Sequence, residues 1–242
     1  MLGVEFALVT GMARTPRRFT VRAGHSVHKV WRGHNIEWNL KTDEQKLTYL
    51  DFYNQDEEDL RYTQGSEIQA LTLMSNHTHE VFGISEPPLF SAQMRRHHSR
   101  YGAYFNKQSN RCGKVAQDRP HTTLLESSHQ EMETVFYVHL NPVRAGIVGD
   151  ARDYQWSTHK LYAFGKREPW MRNVVLPEWY LKLGRSAELR QRAYRRLLAR
   201  YLKEKGTTKQ RFLKKRFFGS VAWCDKNEQK VSRWRRTQEA PP

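Results

Sequence analysis

The 242-residue sequence predicts a mixed fold of strands and helices, α/β or α+β. Three observations carry that expectation. Strand-like and helix-like stretches alternate along the chain. Apolar residues make up 38% and aromatic residues 12%, which favours a packed core over a disordered chain. No internal repeat and no low-complexity tract is present, so the length suits one large domain or a core domain with an appendage.

Residues 13–23, ARTPRRFTVRA, read as a basic N-terminal arm, and a second methionine at Met12 marks residues 1–11 as dispensable. HSVHKVWRGHN, residues 25–35, alternates as a strand ending in an Arg-Gly turn. Thr42 or Asp43 can cap a helix through EQKLTYLDFYN, in which Leu47, Leu50 and Tyr53 fall together. Residues 54–66 are polar and read as loop. SEIQALTLM, residues 66–74, is a buried strand that continues past a break at Ser75-Asn76 into HTHEVF. Residues 89–108 form a helix with Arg95, Arg96, Arg100 and Lys107 on a basic face. GKVAQ, residues 113–117, reads as a short strand, and HTTLLESS is ambiguous. A helix runs from about Ser128 to near Asn141-Pro142, with Gly146 a terminator. After Trp156 the character changes. Residues 186–205 make a basic amphipathic helix with Leu189, Ala193, Leu197 and Tyr201 on one side, followed by a frayed basic end.

The formal net charge is +16, and residues 181–242 hold 19 Lys+Arg against 5 Asp+Glu. A surplus so concentrated points to nucleic acid, and less often to an anionic membrane. Cys112 and Cys224 cannot make a disulfide framework and no CxxC occurs, which fits a cytoplasmic protein. The apolar run near the N-terminus has no basic residue before it, unlike a secretory signal, and no run approaches a membrane span, so no membrane partner is expected. No GxxxxGK[ST] phosphate loop occurs.

The chemistry concentrates in two stretches. In MSNHTHEVF, His77 and His79 are i,i+2 neighbours on a strand, so both imidazoles project to one side. Such a pair is either a two-point metal site or a pair of solvated or hydrogen-bonded histidines. In YVHLNPVRAG, Tyr137 and Asn141 share one helical face, while Pro142 biases Asn141 towards a distorted turn or helix end. Tyr137 reads either as a core aromatic or as a reactive hydroxyl. A structural zinc site using a cysteine has no supporting spacing.

Together, MSNHTH and YVHLNPVRAG resemble the single-tyrosine HUH transposases, in particular REP-associated tyrosine transposases. Both motifs occur in the family's order, about sixty residues apart. RRFTV, HSVHKVWRGHN and DARDYQWSTHKLY add weaker likeness, and the resemblance spans residues 13–165, leaving 166–242 as a basic DNA-binding extension. It implies an α+β fold: a ferredoxin-like antiparallel sheet with helices on one face, followed by a basic, mainly helical C-terminal extension. It also implies a metal-dependent transposase that nicks and rejoins single-stranded, hairpin-containing, REP-like DNA as a monomer or homodimer. In that reading Tyr137 is the nucleophile, and His77, His79 and Asn141 hold a divalent ion, Mg²⁺ or Mn²⁺. Arg32, Arg95, Arg96 and Arg100 are candidates for DNA backbone contacts in the core. Arg195, Arg196, Lys214, Lys215 and Arg216 are candidates in the tail, with Trp223 and Trp234 placed to stack on bases. Thr78 and Glu80 depart from the family's apolar pattern, and CGKVAQDRPHTT matches its usual segment poorly. These departures motivate an alternative: a domesticated, catalytically weak or inactive DNA-binding protein of the same fold.

Overall fold

The computed structural model describes residues 15–59, 65–205 and 215–239. The expectation about residues 1–11 lies outside them. The first strand, β1 (His25–Arg32), leads through a turn at Gly33 to α1 (Asp43–Glu58). Two strands follow, β2 (Ser66–Leu73) and β3 (His77–Ile84), then α2 (Pro87–Gln108) and β4 (His121–Leu125). The remainder is helical apart from one short strand: α3 (Ser128–His139), α4 (Asn141–Arg144), α5 (His159–Phe164), α6 (Glu178–Leu181), α7 (Ala187–Lys205), β5 (Phe217–Phe218) and α8 (Val221–Glu239).

The sheet runs β2-β3-β1-β4-β5. Its first four strands are antiparallel, and β5 joins β4 in parallel. Strand, helix, two strands, helix, strand in this order is the ferredoxin-like β-α-β-β-α-β arrangement. The α+β fold expected from the sequence is therefore present, with the helical C-terminal part. Helices α1 and α2 pack together on one face. The other face is covered as well, because β1 and β3 bury side chains on both sides: His28 and Lys29 are neighbours, and both are fully buried. Helix α3 supplies that second cover, packing on β2 and β3. A helix layer on one face alone would leave His28 and Val81 in water.

Local chemistry explains the boundaries. Thr42 and Gln45 form a reciprocal cap on α1: the Thr42 hydroxyl accepts from the Gln45 N–H at 3.1 Å, and the Gln45 side chain accepts from the Thr42 N–H at 3.1 Å. The helix runs on to Glu58, so residues 54–58, expected as loop, continue it; Asn54 and Asp56 turn inward from it and are buried. Pro87 and Pro88 occupy the first turn of α2, where a missing N–H costs nothing. The ambiguous HTTLLESS resolves into β4, whereas GKVAQ contributes only an isolated bridge, Gly33 to Ala116. The tyrosine helix stops at Leu140, immediately before Asn141-Pro142, and Gly146 takes a φ of 67° there.

The frayed basic end is the clearest departure from the sequence reading. Residues 221–239 form a helix docked on the body, with Val231 and Asn227 buried and the Arg22 guanidinium donating to Asn227 Oδ1 at 2.5 Å. Tyr194, Leu198 and Tyr201 of α7 and Phe217 of β5 join the same hydrophobic core as the sheet. The buried side of α7 only partly matches the expected stripe: Tyr201 is buried and Leu197 packs on the core, but Tyr194 and Leu198 are buried beside them and Leu189 is 46% exposed.

Candidate active site

The strand register sets the site. Arg32 lies opposite His77 and Val30 opposite His79 in the β1–β3 pair, and His28 lies two residues back on the same face. The His77 and His79 rings stand 5.0 Å apart between centroids, as an i,i+2 pair on one face should. His28 stacks against His79 at 5.2 Å, with His28 Nε2 and His79 Nδ1 3.0 Å apart, so one nitrogen donates the single proton of that bond and the other accepts it. His77 Nδ1 is 2.6 Å from Asn76 Oδ1, so that nitrogen carries the proton and donates to the amide oxygen.

Helix α3 brings Tyr137 onto this face. Its ring centroid lies 5.6 Å from His79 and 6.3 Å from His28, edge-on to both. Two residues from the short helix after the break hold the end of α3. Asn141 Nδ2 donates to the Tyr137 carbonyl at 3.0 Å, and Arg144 Nη1 donates to the same oxygen at 2.8 Å. The Arg144 guanidinium sits 4.5 Å over the Tyr137 ring. Its Nε and Nη2 are buried without an acceptor in good geometry, although Tyr201 of α7 lies near. Two buried guanidinium N–H groups beside a tyrosine are suited to an anionic oxygen.

The electrostatics are those of a neutral imidazole cluster under cationic cover. Burial pushes His28 down to about 3 and His79 well below the usual histidine range, with neighbouring histidines adding to the shift. Burial raises the Tyr137 hydroxyl to about 12, while Arg144 and Arg32 pull against that rise. Tyr137 is only 3% exposed.

The donor set fits a divalent ion. Burial keeps His79 neutral, and both rings have Nδ1 tied, so Nε2 is the nitrogen of each ring suited to a ligand. Among the described residues no three His, Cys, Asp or Glu side chains are placed to hold a metal, so a third protein ligand must be of another type. The Asn141 amide is of such a type: with Nδ2 tied to the helix end, Oδ1 is the atom that could take that role. The same observation leaves a structural zinc site without a ligand set.

No protein-family model and no curated protein matches the chain. Among solved structures, one described as a REP-associated tyrosine transposase bound to a REP hairpin is similar, with a TM-score of 0.49 and 20% identity. The likeness covers 61% of this chain and 84% of that one.

Thr78 and Glu80, the departures from the motif, lie on the opposite face of β3. Glu80 forms a fully buried ion pair with Lys29 at 2.6 Å. Its carboxylate also accepts from the hydroxyls of Thr78 at 2.5 Å, Tyr49 at 2.9 Å and Tyr53 at 2.9 Å. The two unusual residues thus belong with Lys29 in a polar cluster under α1, away from the histidines.

The basic residues divide by role. Arg32 is exposed at the end of β1 beside the histidines. Arg96 and Arg100 both bind the buried Asp56 carboxylate, at 2.8 and 2.9 Å, and so brace α2 against α1. Arg95 points elsewhere, into a basic cavity described below. Arg195 donates to the Ala163 carbonyl and covers Phe164, whereas Arg196 is exposed. Arg216 pairs with Glu228. Lys215 is exposed, and its carbonyl accepts from Thr123 Oγ1 at 2.8 Å. Lys214 lies outside the described residues. Trp223 packs on Phe217 and His25, and Trp234 on Phe19, so both rings already have intramolecular partners.

Sequence reasoning passed over His28 and Arg144. His28 could have been found by strand parity, which puts it on the face of Val30 and Arg32. Arg144 lies seven residues after Tyr137, two helical turns on the same side.

Proposed function

We propose that this chain is a metal-dependent DNA strand transferase of the single-tyrosine HUH kind, acting on single-stranded DNA with REP-like hairpins. The observation that carries the reading is the convergence of Tyr137 on the His77–His79 pair across the β3–α3 interface, with Arg144 over the tyrosine ring. The Tyr137 oxygen attacks a phosphodiester phosphorus and gives up its proton. The phosphorus–O3′ bond breaks, releasing a 3′-hydroxyl and leaving the 5′ side joined to Tyr137 as a phosphotyrosine. A 3′-hydroxyl later reverses the step, so strand joining needs no nucleotide cofactor.

A tyrosine held at about 12 is a poor nucleophile near neutrality and needs assistance. His77, His79 and Asn141 would hold Mg²⁺ or Mn²⁺, which supplies Lewis-acid polarisation of the phosphate when bound. Arg144 supports the same chemistry by favouring the phenolate and offering N–H donors to phosphate oxygens. Asn76 and His28 fix the ring orientation of the two histidines. Thr78 and Glu80, which motivate the reading as a non-catalytic relative, sit in the Lys29 cluster away from the histidines, which supports the catalytic reading.

The test is incubation with a panel of fluorescent single-stranded hairpins and Mn²⁺, followed by denaturing electrophoresis. The expected result is a covalent adduct that is absent in Tyr137→Phe. No adduct across the panel, or one unchanged in Tyr137→Phe, would overturn the reading.

A further inference from the structure

A basic cavity lies on the other face of the sheet. It has a volume of about 730 Å³ and opens between α2, the end of β1 and residues 114–120. Arg17, Arg95, Lys114 and Arg119 line it, and Asp118 is the one acidic residue in the lining. Its wall includes Trp31, which is 1% exposed and whose indole N–H is buried without a protein acceptor. Nε of Arg17 is also buried without one.

Such a lining is costly without an anion. Burial lowers the Arg17 guanidinium below its usual range, and the charges of Arg119 and Arg95 push in the same direction. Buried donors lacking acceptors destabilise the fold. Nothing in the Tyr137 chemistry uses these groups, because Trp31 and Lys29 share the face of β1 opposite His28. The volume falls in the range that holds a nucleotide-sized ligand. A net excess of three cations suits a dianionic phosphate monoester better than a single phosphodiester charge.

We propose that this cavity binds the phosphate monoester of a nucleotide, either a free mononucleotide or the 5′-phosphorylated end of a DNA strand. Arg95 and Lys114 are exposed side chains at its rim, and Trp31 and Arg17 supply the buried donors.

The test is calorimetric titration of the full chain with three probes: deoxyadenosine 5′-monophosphate, a 5′-phosphorylated single-stranded 12-mer, and the same 12-mer with a 5′-hydroxyl. The expected result is that at least one phosphorylated probe binds at least tenfold more tightly than the 5′-hydroxyl 12-mer. That preference disappears in the double variant Arg95→Gln/Lys114→Gln, with the thermal unfolding midpoint unchanged. Binding of the mononucleotide assigns a free nucleotide as ligand; binding of the phosphorylated 12-mer alone assigns a strand end. Trp31→Phe, which keeps most of the ring volume and removes the N–H, weakens the same probe severalfold. Equal affinity for the 5′-hydroxyl 12-mer, no binding of either phosphorylated probe, or a double variant that binds like the parent overturns the proposal.

Discussion

His79 and Glu80 are adjacent on β3 and face opposite worlds. His79 joins His28, His77 and Tyr137 in an aromatic cluster with cations at its margin. Glu80 joins Lys29, Tyr49, Tyr53 and Thr78 in a closed, charged cluster whose hydrogen bonds are satisfied internally. Both faces are buried and polar. They differ in completion: one leaves Arg144 donors without acceptors, and the other uses the carboxylate fully. Unfinished hydrogen bonding around Tyr137 marks a place for a ligand, as it does around Trp31 and Arg17, while the finished cluster at Glu80 marks architecture.

The largest expected separation of the two faces comes from Lys29→Met. Removing one partner of a buried ion pair should cost about 3–5 kcal/mol of stability, measured by urea unfolding. The yield of Tyr137 adduct per folded molecule should stay at the parent level. A loss of less than 1 kcal/mol, or of adduct with the fold intact, would merge the two faces again.

Asn76→Ala probes the opposite side of the comparison. Freeing the His77 ring should weaken Mn²⁺ binding roughly 10–100-fold by calorimetry, with little change in the unfolding midpoint. Unchanged Mn²⁺ affinity would mean that His77 is not a ligand held in this way.

Acid should act through the architectural face as well. His97 and His98 of α2 are held well below the ordinary histidine range, chiefly by burial, with Lys29 adding repulsion to both. Each stays neutral when folded and takes up a proton when unfolded below about pH 6.5, so stability falls as pH drops through that value. The loss is at most about 1.4 kcal/mol per histidine per pH unit. Urea unfolding between pH 7 and 5 checks this, and His97→Gln should flatten the slope.

Arg144→Gln should have the smallest effect, a loss of roughly tenfold in adduct formation rate, as removal of one cation lifts the Tyr137 hydroxyl further. The rate deficit should shrink as pH rises; a pH-independent deficit would assign Arg144 to phosphate binding alone.

Much of this was legible in the sequence because strand parity and helical spacing are strict. The i,i+2 rule placed His77 and His79 together, and Pro142 marked the end of the tyrosine helix. The long-range partners were not legible. Lys29 meets Glu80 only through the β1–β3 register, and a lone Glu at position 80 looks like a flaw in a motif until its partner is found. The last helix was missed because a basic stretch scatters its few inward residues, Asn227 and Val231, among charges. The tail's internal pairing was not legible for a related reason: charge in a sequence does not reveal that Arg216 is paired with Glu228.

Peptide mapping of the trapped protein–DNA adduct by mass spectrometry tests the central claim most directly. The account predicts that the nucleotide mass sits on the peptide containing Tyr137, on its phenolic oxygen, and that His79→Ala abolishes it. Attachment to another residue, or the same yield on Tyr137 with His79 removed, would contradict the split site formed by β3 and α3.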